Sequence, residues 1–373
     1  MLEAIFTLDY EIHGNGDGCP RALMLEPTSR LLDLLEEYGA KLTIMADVAE
    51  ILKFREYRDQ FAQDDYHYEA VMGQLKDAIQ RGHDVQLHLH CSYFNSQFQG
   101  GKWMQDWSEY NFAQLSEQRL NEVVGIGKKF LEEQFRPIDS GYRCNVFRAA
   151  NWSMNPSRNA VRALVNNGFR IDTSVFKYGQ RDGLVSFDYS DAPSNLVPWS
   201  ADESHICRRD EQSSLMEVPI YAERRWIGAF ITFQRFHRWW LSRRHRVASG
   251  KGQAYPLGKT HRRGRFANLF RLAMRRHAWK ADFNQCSGKQ LIRALDRAAA
   301  VHDRVGASLP FVLIGHSKLF TRQQAASLRP FLAHVVHCPE QFGFARFCDF
   351  DLKALRGRPN AGVHGSNSRS VAA

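Results

Sequence analysis

The sequence predicts an α/β fold in which helices cover parallel strands. Hydrophobic, strand-like segments alternate along the chain with segments of helical period, and glycines or prolines separate the two kinds. Such alternation is typical of βα units, whose strands run parallel in either an open doubly wound sheet or a barrel. With 373 residues, 44% of them hydrophobic, the chain is long enough for one large α/β domain or two ordinary ones.

The predicted elements follow one another from the first strand, FTLDYEIH, which begins at about residue 4. The segment PTSRLLDLLEEYG then repeats apolar residues at helical spacing and ends at Gly39. The later elements are the strand AKLTIMADV, the helix YEAVMGQLKDAIQRG, the strand HDVQLHLH, a helix over 115–135, a strand beginning at Phe147, the helix NPSRNAVRALVNNG, and the strands FRIDTSV, LMEVPIY and PFVLIGH.

The positive charge of the chain is confined to one segment. The net charge is +10, but the residues from Arg224 to Lys280 carry thirteen Arg, three Lys and no Asp or Glu, so this segment has +16 and the remainder −6. We predict a basic amphipathic insertion over 222–285 in a barrel domain over 1–355. The tail, 356–373, lacks periodicity and is expected to be disordered.

The basic segment is compatible with three roles. In RRGRFANLFRLAMRRHAWK the apolar residues lie near helical spacing with arginines on the other face, a pattern typical of helices on anionic membrane surfaces. The segment over 224–280 is therefore a candidate for peripheral membrane contact. Phosphates of nucleic acid are a less favoured partner. Alternatively, the helices pack on the barrel and their arginine stems cover apolar surface.

Composition also bears on location. No run approaches eighteen apolar residues, and the first strand begins too early for a signal peptide to precede it, so we expect a cytoplasmic protein that does not span a membrane. The seven cysteines are odd in number and show no CxxC spacing. This pattern argues against a disulfide framework and against a zinc-thiolate site.

Polar side chains gather at the carboxyl ends of the predicted strands. In parallel β/α folds this edge is where ligands bind. A buried polar group costs a few kcal/mol when it lacks a partner, so chance placement of so many is a poor explanation. The residues are Asp9, Glu11, His88, His90, Arg148, Asp172 and His316.

The residue types indicate hydrolysis assisted by a metal ion. Residues two apart on a strand share a face, so Glu11 lies beside Asp9, and His90 beside His88. Two imidazoles and a carboxylate can hold a divalent metal, which leaves Asp9 free as a base. An arginine within reach would keep Asp9 ionised, and His316 would protonate a leaving amine.

Further residues are candidates for substrate contact. Trp152 and Trp199 could stack on a sugar ring, although packing is an equally good explanation for each. Asp172, in IDTSV, could tune His316 or contact the sugar, or it could serve a turn.

The segments FTLDYEIH, GHDVQLHLH, FRAANW, GFRIDTSV, LMEVPIY and VLIGHSK, in this order, resemble the polysaccharide deacetylase family of carbohydrate esterases. The resemblance runs from residue 4 to about residue 330 and is interrupted by the basic insertion. It implies a distorted (β/α) barrel of about seven parallel strands. It also implies removal of N-acetyl groups from amino sugars with a divalent metal ion, zinc being the expected one.

Carried over by position, Asp9 resembles the family's catalytic base, Arg148 the arginine that orients it, His316 the general acid and His88 the first histidine ligand. The chain departs from the usual motifs at two positions. Tyr10 stands where the family has a second, metal-binding aspartate, and Ser92 stands where it has the second histidine. Glu11 and His90 are the substitutes that we expect, and a D-x-E opening occurs in a branch of the family.

We therefore expect a hydrolase that acts on the N-acetyl amide of an amino sugar in bacterial envelope polysaccharide biosynthesis. Two alternatives of other classes remain. One is a non-catalytic carbohydrate-binding relative that has lost its metal, and the other is a membrane-binding or nucleic-acid-binding protein that acts through the basic insertion.

Overall fold

The computed structural model describes residues 1–12, 16–233, 236, 275–302, 308–318 and 320–350. The helices are α1 (Glu26–Glu36), α2 (Val48–Phe61), α3 (Tyr68–Gln80), α4 (Glu117–Phe135), α5 (Ser157–Asn166), α6 (Gly288–His302) and α7 (Arg322–His337). The strands are β1 (Leu2–Tyr10), β2 (Leu42–Asp47), β3 (Asp84–Leu89), β4 (Gln97–Gln99), β5 (Lys102–Met104), β6 (Val146–Ala149), β7 (Ile171–Asp172), β8 (Gln180–Arg181), β9 (Phe187–Asp188), β10 (Trp199–Ser200), β11 (Met216–Glu217), β12 (Ala222–Arg225), β13 (His277–Lys280), β14 (Leu309–His316) and β15 (Phe342–Phe344).

One curled sheet forms the centre of the molecule. Its strand order is β10-β11-β7-β6-β3-β2-β1-β14, and β15 pairs with the start of β1. The strands from β11 to β14 run parallel to their neighbours, and β10 is antiparallel at the edge. Parallel bridges from Ile220 to Val312 and from Asp282 to Ile314 bring the residues that follow β11 and β13 against β14. The predicted barrel of about seven parallel strands is thus confirmed, as a distorted barrel that isolated bridges close.

The sheet is buried on both faces, as parallel sheets covered by helices are. Strands β2 and β3 are buried at every residue, and β1 at every residue except Glu3. Helices α2, α3 and α4 pack against β3, and α1, α6 and α7 pack together near β1 and β14. The predicted pattern did not include α2, because its buried face contains Glu50 and Lys53 and so interrupts the apolar period.

The basic segment leaves and rejoins the domain at one place. Strands β12 and β13 are antiparallel, with Ala222 opposite Lys280 and Arg225 opposite His277, and they form a two-stranded base for the segment. The amphipathic helices predicted within it, and the tail over 356–373, lie outside the described residues. Among the helices that the structure describes, none is long and apolar enough to cross a bilayer.

Candidate active site

Glu11, His88 and His90 form a compact group at the carboxyl ends of β1 and β3. The Glu11 Oε2 atom lies 2.7 Å from His90 Nε2 and 3.4 Å from His88 Nε2. All three side chains are buried, and their ligand atoms lie within 4.8 Å of one another. A zinc ion ~2.0–2.1 Å from each nitrogen or oxygen ligand places tetrahedral ligand atoms roughly 3.3 Å apart. The donor types and the spacing therefore fit a divalent cation of the zinc type.

The ring of His88 is oriented by the backbone. Its Nδ1 donates to the carbonyl oxygen of Arg148 at 2.8 Å, which turns Nε2 toward Glu11. Such a hydrogen bond from the second nitrogen is how metal-ligating histidines are usually fixed. Burial lowers the pKa of His88, but the carboxylates of Glu11, Asp9 and Asp47 outweigh it and raise the pKa to about 9. A cation at this position would take the place of that proton.

Glu11 is held as an anion by a lysine that sequence analysis did not select. Lys318 Nζ donates to Glu11 Oε1 and, at 3.0 Å, to the carbonyl oxygen of Ile12. Burial raises the pKa of Glu11, but the charges of Lys318 and His90 lower it by more than burial raises it. The net pKa therefore lies well below its usual range. One carboxylate oxygen is thus bound to the lysine while the other faces the two imidazoles.

Asp9 forms a buried ion pair with Arg148. The Arg148 Nη1 atom donates to Asp9 Oδ1 at 2.8 Å, and its Nε donates to the Thr173 carbonyl oxygen at 3.0 Å. Burial raises the pKa of Asp9, yet Arg148, His88 and His316 together bring it below its ordinary value. Asp9 is therefore ionised at neutral pH, as a base must be.

His316 lies across the site from Arg148. Its Nε2 atom is 3.6 Å from Asp9 Oδ2, and its backbone N–H donates to Asn284 Oδ1 at 2.7 Å. Gly315 permits this approach, because a Cβ there would overlap the Phe283 ring. Burial lowers the pKa of His316 to about 4, although Asp9 opposes the shift. The imidazole is neutral at neutral pH, and its buried Nδ1 has no hydrogen-bond partner among the described residues.

Asp172 requires a correction, because it is completely buried and cannot contact a sugar. Its Oδ1 accepts from Ser174 Oγ at 2.7 Å, and it lies opposite Glu217 in the pairing of β7 with β11. Burial raises the pKa of both carboxyl groups, so the two share a proton. The carboxylates whose charges act on His316 are those of Asp9, Glu11 and Asp282, so a direct effect of Asp172 on His316 has no support.

The two candidate tryptophans differ. Trp199 is only 2% exposed and its indole N–H donates to the Ile206 carbonyl oxygen at 2.8 Å, so it packs in the core and offers no face to a sugar. Trp152 is half-buried and follows Arg148 by four residues, and Lys280 Nζ lies 3.4 Å from its ring centroid. The prediction of sugar stacking is thus wrong for Trp199 and stays a prediction for Trp152.

Three further residues belong to the site although the sequence analysis did not select them. Asp47 Oδ1 accepts from the His90 backbone N–H at 3.1 Å, Asn284 supports His316, and Lys318 binds Glu11. Asp47 is the last residue of β2, so the pattern of polar residues at strand ends, which selected the other candidates, applies to it as well. In the sheet it is the register partner of His88. Asn284 and Lys318 lie outside the strands, so strand periodicity carries no signal for them.

Ser92 and Tyr10, which stand where the resemblance noted in the sequence implies metal ligands, take no part in the group. Ser92 Oγ donates to Gln105 Oε1 at 2.8 Å, and the Tyr10 hydroxyl donates to Gln74 Oε1 at 2.8 Å. Because side chains alternate along a strand, Tyr10 points away from the face that Asp9 and Glu11 share.

No family model matches the sequence, and no curated protein matches it. Several solved structures are similar to this chain at low sequence identity. A putative polysaccharide deacetylase from Mycobacterium smegmatis is 15% identical over 93% of this chain and 88% of that chain, with a TM-score of 0.48. The Puue allantoinase is 12% identical over 93% and 88%, with a TM-score of 0.48. A probable polysaccharide deacetylase from Pseudomonas aeruginosa PAO1 is 13% identical over 93% and 89%, with a TM-score of 0.47.

Proposed function

We propose that the protein is a metal-dependent deacetylase that hydrolyses the N-acetyl amide of an amino sugar in a cell-envelope polysaccharide or its precursor. The observation that carries this proposal is the buried group of Glu11, His88 and His90 beside the ion pair of Asp9 and Arg148. Glu11, His88 and His90 would hold the cation, and zinc is the proposed ion. When bound, the cation would act as a Lewis acid toward the amide carbonyl.

The remaining residues supply the proton transfers. Asp9, ionised and held in place by Arg148, removes a proton from the attacking water. His316 is neutral at rest, and its Nε2 is 3.6 Å from Asp9 Oδ2, so a small movement brings the two into hydrogen-bond contact. We infer that the proton passes from Asp9 to His316 and then to the leaving amine. The amine would otherwise have to leave as an unstable anion.

The test of this proposal is acetate release from N-acetylated amino sugars and their oligomers. Release is expected from the metal-loaded protein and should fall at least about 100-fold after chelation, because a Lewis acid contributes several kcal/mol to the transition state. Addition of zinc should restore it. Release that survives complete removal of metal would contradict the proposal. Absence of bound metal together with absence of release from any amide-bearing sugar would favour the carbohydrate-binding alternative, which has lost its metal.

A second role is favoured by the start of the basic segment. Trp226, Ile231 and Phe233 are exposed there, Ile231 to 81%, next to the base formed by β12 and β13. Exposed aromatic and aliphatic residues beside a run of arginines are typical of segments that lie on anionic membranes. We propose that the segment over 224–280 holds the enzyme at a membrane surface where a lipid-linked substrate is presented.

Flotation with liposomes tests the membrane proposal. The full chain should float with vesicles that contain phosphatidylglycerol and remain behind with vesicles of phosphatidylcholine alone. Replacing Arg262, Arg263 and Arg265 by Gln should weaken partition about 100-fold, since each basic residue contributes about 1 kcal/mol. Failure of the wild type to float with anionic vesicles at physiological salt would refute the membrane proposal. The deacetylase proposal would stand, because it is tested separately by acetate release.

A further inference from the structure

A cluster of cations and aromatic rings combines residues that follow the carboxyl ends of β6 and β7 with residues of β12 and β13. We call it the cation–aromatic rim, and it consists of Trp152, Phe176, Lys177, Tyr178, Arg224 and Lys280. Lys280 Nζ lies 3.4 Å from the centroid of the Trp152 ring and 4.5 Å from that of Phe176. Nothing in the proposed reaction uses these side chains.

The rim is joined to the catalytic groups through the chain on both sides. Trp152 follows Arg148 by four residues, and Arg148 binds Asp9. Lys280 precedes Asn284 by four residues, and Asn284 accepts a hydrogen bond from the backbone of His316. The contact between Lys280 and Trp152 therefore connects the segment that carries the orienting arginine with the segment that supports the proposed acid.

Two cations of the rim share one aromatic ring. Arg224 Cζ lies 4.8 Å from the centroid of Tyr178, and Lys177 Nζ lies 5.5 Å from it. Burial lowers the pKa of Lys177, and the charge of Arg224 lowers it further. Neither side chain forms an ion pair within the described part of the chain. The nearby carboxylate of Glu223 is bound by Arg297 at 3.0 Å and by Arg225 at 2.5 Å.

The backbone of the rim is also unusual. Asn151, Trp152 and Tyr178 have φ angles of 56°, 56° and 71°, a region that residues other than glycine rarely adopt. Each such backbone conformation reduces the stability of the fold by on the order of 1 kcal/mol, and such conformations are frequent at ligand-binding sites. Here the strained residues present the Trp152 and Tyr178 rings to the cations.

We propose that the cation–aromatic rim binds an anionic group, a phosphate or a carboxylate, carried by the sugar substrate; this inference rests on the proposed function. Ammonium and guanidinium groups donate hydrogen bonds and cannot accept them, so they fit oxyanions better than sugar hydroxyls. An oxyanion between Lys177 and Arg224 would relieve their mutual repulsion. Trp152 and Tyr178 would then contact the apolar face of the adjoining sugar ring.

Titration calorimetry of the metal-loaded full chain tests the inference. The probes are N-acetylglucosamine, its 1-phosphate, and N-acetylmuramic acid, which carries a carboxylate. At least one anionic sugar should bind about tenfold more tightly than the neutral sugar, which corresponds to about 1.4 kcal/mol. A gain for the phosphate alone would assign a phosphate substrate, and a gain for both would assign oxyanions in general. In either case the gain should shrink as salt is added.

Variants identify where the anion binds, because phosphate also has affinity for a metal ion. The double variant Lys177→Met, Arg224→Gln should lose most of the tenfold preference. The control variant Lys129→Met, Arg158→Gln removes the same amount of charge from helices α4 and α5. It should keep the tenfold preference for the anionic sugar. The inference is overturned if the preference is absent in the wild type, or equal in both double variants. Because binding is measured, failure of acetate release would refute the proposed function and leave this result standing.

Discussion

Replacement of Asp9 by Asn is expected to lower kcat for acetate release about 10²–10⁴-fold, the usual contribution of a general base. Asparagine has nearly the same shape but cannot accept the proton. Asp9 is the carboxylate that the charges of Arg148, His88 and His316 keep ionised. The loss should appear mainly in kcat, because Glu11, His88 and His90 remain available for the metal and the substrate site is unchanged.

The same substitution should also destabilise the protein. Arg148 is completely buried, and without Asp9 it has no ion-pair partner among the described residues, a loss that costs about 3–5 kcal/mol in buried pairs. The folded-state pKa of Asp9 lies below its unfolded value, so its contribution to stability is present above the unfolded pKa of about 3.9. The difference in unfolding free energy between wild type and D9N should therefore persist at neutral pH and vanish as the pH falls through the folded pKa.

Asp84→Asn is the matched control for this prediction. Asp84 is also a buried aspartate, but it lies at the start of β3, at the opposite edge of the sheet from the site, and its partner is Gln86. Its replacement should leave kcat within about twofold of wild type. Calorimetric unfolding and steady-state acetate release measure the two effects separately. Normal turnover in D9N would remove Asp9 from the mechanism.

Replacement of a metal ligand is expected to abolish metal binding. A Glu11→Ala, His88→Ala double variant keeps only His90, and one imidazole cannot hold zinc against competition from water and buffer. The single variant His90→Ala should weaken affinity by at least about 100-fold, because its Nε2 lies 2.7 Å from the Glu11 oxygen that faces the group.

His83→Ala provides the control for the histidine variants. His83 is buried just before β3, where its Nδ1 accepts from the Leu42 backbone N–H at 3.0 Å and its Nε2 contacts Glu36. Its replacement should reduce stability and leave the metal content unchanged. If His90→Ala bound metal as tightly as wild type, the third ligand would have to be a different residue.

Much of the fold and site could be predicted from strand periodicity. Parallel strands that are buried on both faces appear as continuous apolar runs, and a polar residue at the end of such a run stands out. That rule selected Asp9, Glu11, His88, His90, Arg148 and His316, and the structure places all six at one edge of the barrel.

The same rule failed where burial decides the role. Asp172 ends a strand like the others, but the neighbouring strand places Glu217 opposite it and covers it, which one sequence cannot show. Trp199 can be buried in the core because its indole N–H donates to a backbone carbonyl oxygen there. Lys318 reaches Glu11 from a turn after β14, and a contact across 307 positions of sequence follows from the tertiary fold alone.

Elemental analysis of the purified protein tests the central claim most directly. The wild type should contain about one equivalent of zinc, or of another divalent ion, per chain, and the Glu11→Ala, His88→Ala variant should contain none. That result would establish the metal centre on which the proposed deacetylation depends. Absence of metal from the wild type, even after incubation with several divalent ions, would contradict the account. An equal metal content in the two proteins would likewise exclude Glu11 and His88 as its ligands.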